Sequence, residues 1–308
     1  MELRQFASLV AVVEAGFNVT EAAERLHVVQ SAVSQQLARL EGELGLRLFV
    51  RKGKRLVGLS AAGEEVVRHA REALAIRENI RAIGRDHVDE AVGVLRIGTT
   101  HTQARYVLPA VISAFRRNFP GVGLEIHQGT PQQVVDMAQH DQVDFAICTE
   151  TLGDYPALTA LPIYRWNRSL IAPRGHAVLS HRPLGLEQIC EYPLITYTFG
   201  FTGTRHMQAT FARAGLKPKV VLSAVDADVI KTYVREGLGI GLIATTAYSE
   251  ERDTDLVSKD LRHLLPWETV WIGFRKEKYL RRYQQAFVDL MDRMTGENGR
   301  VNVAVGGG

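Results

Sequence analysis

Apolar residues recur at helical spacing through roughly the first ninety positions and at strand spacing after them, and that change of period divides the chain. Leu3, Phe6, Leu9, Val10 and Val13 form one helical stripe. A short second helix is expected from Asn18, because Asn18 and Glu21 place side-chain oxygens where the free amides of a first turn need them. Ala22, Ala23 and Leu26 supply its inner face, and His27 and Val28 make a turn. Val33, Leu37 and Leu40 then recur at i, i+4 and i+7, which turns Ser31, Gln35 and Ala38 outward with Ser34 and Arg39 beside them. Residues 60–85 read as one long amphipathic helix with Val66, Ala70, Ala73, Ile80 and Ile83 along one side. That is more helix than a small domain needs to cover its own core, so a partner helix is expected.

From Val94 the pattern becomes strands alternating with helices. Strands are expected at 94–97, 124–127 and 144–148, with helices at 106–118 and 134–139. A second set follows, with strands at 169–172, 194–197, 220–222 and 240–243 and helices at 186–190, 204–214 and 228–235. This alternation predicts parallel, doubly wound sheets. A strand at 270–274 and a last helix at 279–294 are expected to return to the first lobe. The expected organisation is a helical domain over 1–59, a linker helix and hinge over 60–92, a two-lobed α/β domain over 93–294 and a flexible tail over 295–308. Lobe one takes 93–163 and 268–294, and lobe two takes 164–267.

Composition narrows the function. At 308 residues, 46% hydrophobic and 23% charged, the chain is of the soluble globular kind. A net charge of only +3 does not announce a nucleic-acid partner, so the clustering of basic residues decides. Arg47, Arg51, Lys52, Lys54 and Arg55 crowd around an expected hairpin turn at Gly53, directly after the two-helix unit. Gln30, Ser31, Ser34, Gln35 and Arg39 make a small polar face suited to base edges in a DNA major groove, and Arg51, Lys52, Lys54 and Arg55 suit phosphates. Two distant cysteines, Cys148 and Cys190, argue against a disulfide framework or a zinc site. The amino-terminal stretch lacks the pattern of a signal peptide, and no apolar run spans a membrane, so a cytoplasmic protein without membrane contact is expected.

In two doubly wound lobes a ligand belongs at the carboxyl ends of strands, between the lobes. Thr99, Thr100, His101, Thr102 and Gln103 follow the first strand of lobe one, Thr149 ends a later one, and residues 199–203 follow a strand of lobe two. Their donors are uncharged, which favours a small, fully deprotonated anion such as sulfate. The chain holds no G-x-S-x-G elbow, P-loop or His-Glu-x-x-His pattern. Its GLGIG stretch follows a helix and precedes a strand, the reverse of a dinucleotide loop.

The stretch AAERLHVVQSAVSQQLARLEGELGLRLFVRKGKRLVGLSAAGEE resembles the winged helix-turn-helix of LysR-type transcriptional regulators. Val29 stands where that family usually places a Ser or Thr cap, and Ser31 replaces a frequent Pro. TTHTQARYVLP, HQGTP, YRWNRS, YPLITYTFGFTG and DADVIKTYVREGLGIG are similar to the branch of the family that activates sulfur assimilation and cysteine biosynthesis. The resemblance implies an all-α winged helix-turn-helix domain with a linker helix, followed by a two-lobed α/β effector domain like that of periplasmic binding proteins. It implies double-stranded DNA, RNA polymerase and further copies of the chain, as a homodimer or homotetramer, as partners. It implies no cofactor but a small effector, N-acetylserine, O-acetylserine, sulfate or thiosulfate, held by Thr100, Thr102, Gln103, Thr149 and Thr202 with Trp166 lining the cavity. Thr204 and Val225 depart from the pattern and leave the choice of effector open. An enzyme acting on acetylserine or a sulfur oxyanion is the competing expectation, against which stands the absence of a lysine-centred pyridoxal phosphate signature.

Overall fold

A computed structural model describes residues 1–53, 55–88, 92–149, 152–198 and 203–295. The chain forms two compact units, Met1–Val88 and Asp89–Gly308, and each is described by itself.

In the first unit, α1 (Leu3–Glu14), α2 (Val19–Arg25) and α3 (Gln30–Leu44) pack around Leu9, Val12, Ala22, Ala23, Val33, Leu37 and Leu40. Asn18 caps α2 by accepting from the amides of Thr20 and Glu21, as its spacing predicts. His27 takes a positive φ in the turn that follows. Helix α3 begins at Val29 with no side-chain cap and ends at Gly45 in the left-handed region. The antiparallel hairpin of β1 (Phe49–Lys52) and β2 (Arg55–Leu59) adds Leu48, Phe49 and Leu56 to the core. Helix α4 (Ala61–Val88) crosses close behind it. A Cβ at Gly63 would stand 2.0 Å from the Leu48 carbonyl oxygen, so only glycine permits this approach.

The expected seam of α4 divides in two. Its amino-terminal half sinks Val67 and Ala70 into this unit's own core, whereas Ile76, Ile80 and Ile83 remain exposed on a stripe beyond it.

The second unit contains two five-stranded sheets. Lobe one orders its strands β4 (Val122–Gln128), β3 (Gly93–Thr99), β5 (Phe145–Cys148), β12 (Glu268–Arg275) and β6 (Leu158–Trp166). Lobe two orders β11 (Leu256–Asp260), β7 (Arg168–Pro173), β10 (Ile240–Ala244), β8 (Leu194–Tyr197) and β9 (Val220–Ala224). The expectation of purely parallel sheets is corrected. β12 runs antiparallel to β5 and β6, β7 is antiparallel to β10, and β11 to β7. The cause is the double crossing between lobes, which feeds returning strands into each sheet in the opposite sense.

β6 and β11 were not expected as strands. β6 accommodates Pro162 because it is an edge strand and its register with β12 slips beside Pro162, so the missing amide breaks no ladder. β11 is also an edge strand and largely polar. The crossing point therefore lies at Asn167, between β6 and β7, and residues 164–166 belong to lobe one rather than lobe two.

The helix expected at 106–118 is α6 (Leu108–Asn118), preceded by a separate α5 (His101–Tyr106). Pro109 has no amide to continue the α5 ladder, so the chain breaks at Val107 and restarts. The remaining helices are α7 (Pro131–Gln139), α8 (Leu186–Cys190), α9 (Thr204–Arg213), α10 (Ala227–Arg235) and α11 (Arg282–Thr295). One hydrophobic cluster runs through both lobes, from Ile97, Phe115, Phe145 and Phe287 to Ile195, Tyr197 and Ile230.

Candidate functional site

On the first unit the residues expected to read DNA share a surface. Gln30, Ser31, Ser34, Gln35 and Arg39 are all exposed on α3, opposite its buried Val33, Leu37 and Leu40. Gln35 and Arg39 border a depression shared with Glu2 and Arg4 of the α1 end. The Ser8 hydroxyl donates to Gln36 Oε1, which ties the flank of α3 to α1.

Arg51, Lys52 and Arg55 are exposed on the hairpin, and Lys54 lies outside the described residues. Glu41, which sequence reasoning passed over, joins the two parts. Its Oε1 accepts from the Leu48 amide at 2.8 Å and its Oε2 from Arg51 Nη2 at 3.2 Å, so the hairpin's first cation is held by α3.

In the second unit the lobe-one candidates gather at the carboxyl ends of adjacent strands. Thr99 on β3 pairs with Ile147 on β5, which sets Thr100 and Thr149 just beyond neighbouring strand ends. Thr100 precedes α5 but its side chain makes no cap hydrogen bond, so capping does not account for its hydroxyl. Thr102 is buried, and its Oγ1 neighbours the Tyr197 hydroxyl but makes no well-formed hydrogen bond among the described residues. Gln103 Oε1 accepts from the Tyr164 hydroxyl, and Thr149 Oγ1 accepts from Trp166 Nε1 at 3.3 Å. Tyr164 and Trp166 alternate on β6, so the strand missed in the sequence is the one that orients two of the candidates. Thr202 lies outside the described residues.

Beside Trp166 stands a cation that the loops did not announce. The Arg168 guanidinium lies 5.1 Å from the Trp166 ring centre, is 1% exposed, and bonds Glu268 at 3.2 Å. Burial lowers the Arg168 pKa and the Glu268 charge opposes it. Arg168 begins β7 and Glu268 begins β12, so the pair spans the two crossings between lobes. A Cβ on Gly203 would meet Glu268 Oε1 at 2.2 Å, and Gly203 also has φ +63°, so glycine is required at this position beside the pair. Tyr197 is buried nearby in the core; burial pushes its hydroxyl up to about 12 against the opposing donation from the Ala244 amide.

The lobes also meet through charge. The Tyr106 hydroxyl donates to Asp228 Oδ1 at 2.7 Å, and Arg105 Nε lies 3.2 Å from Asp228 Oδ2. Burial raises the Asp228 pKa, but the Tyr106 hydroxyl, Lys231, Arg105 and His101 outweigh it and hold the carboxyl below its usual value.

Comparison with known proteins decides the family. Residues 3–64 match the bacterial regulatory helix-turn-helix protein, lysR family, and residues 89–295 match the LysR substrate binding domain. The chain is a LysR-family transcriptional regulator. This LysR-family chain is similar to the HTH-type transcriptional regulator SsuR of Burkholderia cenocepacia, 43% identical over 290 residues that span 94% of each chain. It is also similar to the HTH-type transcriptional regulator CysB of Haemophilus influenzae, 43% identical over 94% of this chain and 89% of that one. The crystal structure of the cofactor-binding domain of the Cbl transcriptional regulator is 46% identical, with a TM-score of 0.64 over 66% of this chain and 90% of that one. As a LysR-family member the chain is a DNA-binding regulator, with its helix-turn-helix in the first unit and the family's effector domain in the second. Among the described residues no helix is long and apolar enough to cross a membrane.

Proposed function

We propose that this regulator controls genes of sulfur assimilation and cysteine biosynthesis, and that an N-acetylserine, O-acetylserine, sulfate or thiosulfate molecule between the lobes switches it. The observation that carries the ligand reading is the buried Thr102 hydroxyl, which neighbours the Tyr197 hydroxyl but makes no well-formed hydrogen bond among the described residues, in a loop that also presents Thr100 and Gln103. A buried hydroxyl left unanswered costs about 1–3 kcal/mol, which an acceptor ligand recovers. The neutral donors around it, Thr100, Thr102 and Thr149, suit an acceptor-only anion, and Arg168 nearby is already answered by Glu268. The likeness to regulators named CysB and Cbl, together with the effector-domain motifs, supports the sulfur-related class.

The proposed mechanism is a population shift. Ligand contacts from both lobes favour one closure, and copies joined through α4 as a dimer or tetramer then present their recognition helices differently to the operator and to RNA polymerase. Exposed Ile76, Ile80 and Ile83 support that seam.

Calorimetric titration of the full chain with both acetylserines, sulfate, thiosulfate and phosphate tests this. Each donor to a charged acceptor contributes roughly 1.5–3 kcal/mol, so Thr100→Val, Thr102→Val and Thr202→Val should each weaken binding about ten- to a hundredfold while operator DNA is still bound. Unchanged affinity for all five compounds in all three variants rejects the cleft as the effector site. Turnover of O-acetylserine without DNA would support the enzymatic reading.

A further inference from the structure

A cluster of ligating atoms bridges the lobes where the threonine loop, through His101, meets the start of α10. A ring nitrogen of His101 on α5 and carboxylate oxygens of Asp226 and Asp228 at the start of α10 lie within 4.8 Å of one another. His101 Nδ1 is buried and has no hydrogen-bond partner among the described residues, so no hydrogen bond within the protein fixes this ring's tautomer through Nδ1. Asp226 Oδ1 accepts from the Val229 amide at 2.8 Å, which fixes that carboxylate and leaves its other oxygen free of the cap. Asp228 is held by the Tyr106 hydroxyl. We propose that His101, Asp226 and Asp228 form a divalent transition-metal site that joins the two lobes.

One imidazole with two carboxylates is the donor set of zinc and its neighbours, whereas magnesium and calcium take oxygen alone. Ligands around a tetrahedral zinc lie roughly 3.3 Å apart, so side-chain rotations of about an ångström bring this set into range. The competitor is Arg105, which is exposed and occupies Asp228 Oδ2 at 3.2 Å. Its guanidinium can swing into water, and the second cation, Lys231, lies farther from Asp228 Oδ1, at 3.7 Å, than from the buried Asp253, at 3.1 Å. Because the ligands come from both lobes, occupancy favours the arrangement in which α5 and α10 are close.

The test uses the full chain, stripped with a chelator and dialysed against zinc, with bound metal measured by elemental analysis. One zinc per chain is expected. Asp226→Asn keeps the oxygen that caps α10, and with His101→Gln it should lower zinc affinity at least tenfold, while His69→Gln on α4 leaves it unchanged. Cobalt in place of zinc should give visible ligand-field absorption that both site variants lose. Arg105→Ala separates this reading from a purely structural ion-pair cluster, because removing the competitor should tighten zinc binding several-fold. The proposal is overturned if the parent takes up no zinc, if Asp226→Asn and His101→Gln bind it like the parent, or if Arg105→Ala weakens it.

Discussion

At the scale of single residues, the side chains proposed to read bases and those proposed to hold phosphates lie on different elements of the DNA-binding unit. Gln35 is exposed at the middle of the outer face of α3, and Lys52 is exposed on the hairpin. Gln35→Ala should therefore relax discrimination between operator and random DNA, by about 1–3 kcal/mol at the base pair it contacts. Lys52→Ala should weaken binding to every sequence alike and reduce the slope of log affinity against log salt by about 1. Fluorescence anisotropy with specific and random duplexes over a salt series measures both, and equal losses on the two duplexes for Gln35→Ala would contradict a base-reading role. The outward placement of these residues was legible from the i, i+4, i+7 stripe behind them. Glu41 was not, because nothing in its spacing shows that one carboxylate reaches both Leu48 and Arg51.

At the scale of elements, α3 and α4 each carry a feature that leads to a measurement. α3 starts at Val29, whose exposed side chain cannot accept from the first-turn amides. Val29→Ser should stabilise the helix-turn-helix unit by about 1 kcal/mol, seen as a higher urea midpoint at unchanged slope. A lower midpoint would mean that Val29 contributes more by packing than a cap restores. α4 buries Val67 and Ala70 internally but exposes Ile76 and Ile80 one turn apart. Glu at both Ile76 and Ile80 puts like charges into the proposed seam and should yield monomers in sedimentation, with the fold of each unit retained by circular dichroism. A double variant that sediments like the parent would move self-association to another surface. The length of α4 was evident from its pattern. The division of its apolar face was not, because the same period continues where the small domain's core ends.

At the scale of the whole molecule, closure of the effector domain rests partly on the bridge from Tyr106 and Arg105 to Asp228. The Asp228 carboxyl titrates below its ordinary 3.8 in the folded chain. A depressed carboxyl contributes stability that is fully present above the ordinary value and is lost as pH falls through the folded one. Asp228→Asn should thus lower the melting temperature by a constant margin between about pH 5 and pH 8, and the margin should shrink below about pH 4. Differential scanning calorimetry of both proteins across that range checks the sign, and a margin that grows on acidification would contradict it.

Local sequence determined what depends on local physics: the capped start of α2, the buried stripe of α3, the basic hairpin, the length of α4 and the succession of strands and helices in the second unit. The motifs around the threonine loop and around Trp166 also carried the family. Tertiary structure decided what depends on partners distant in sequence. β6 and β11 are strands because neighbouring strands supply their hydrogen bonds, despite a proline in one and a polar pattern in the other. The sheets are mixed because the chain crosses between lobes twice. Arg168 and Glu268, one hundred positions apart, become a buried pair beside Trp166 only when both crossing strands are in place. A charge can leave water at that depth only if folding brings its counter-charge to it, and no spacing along the chain records that meeting.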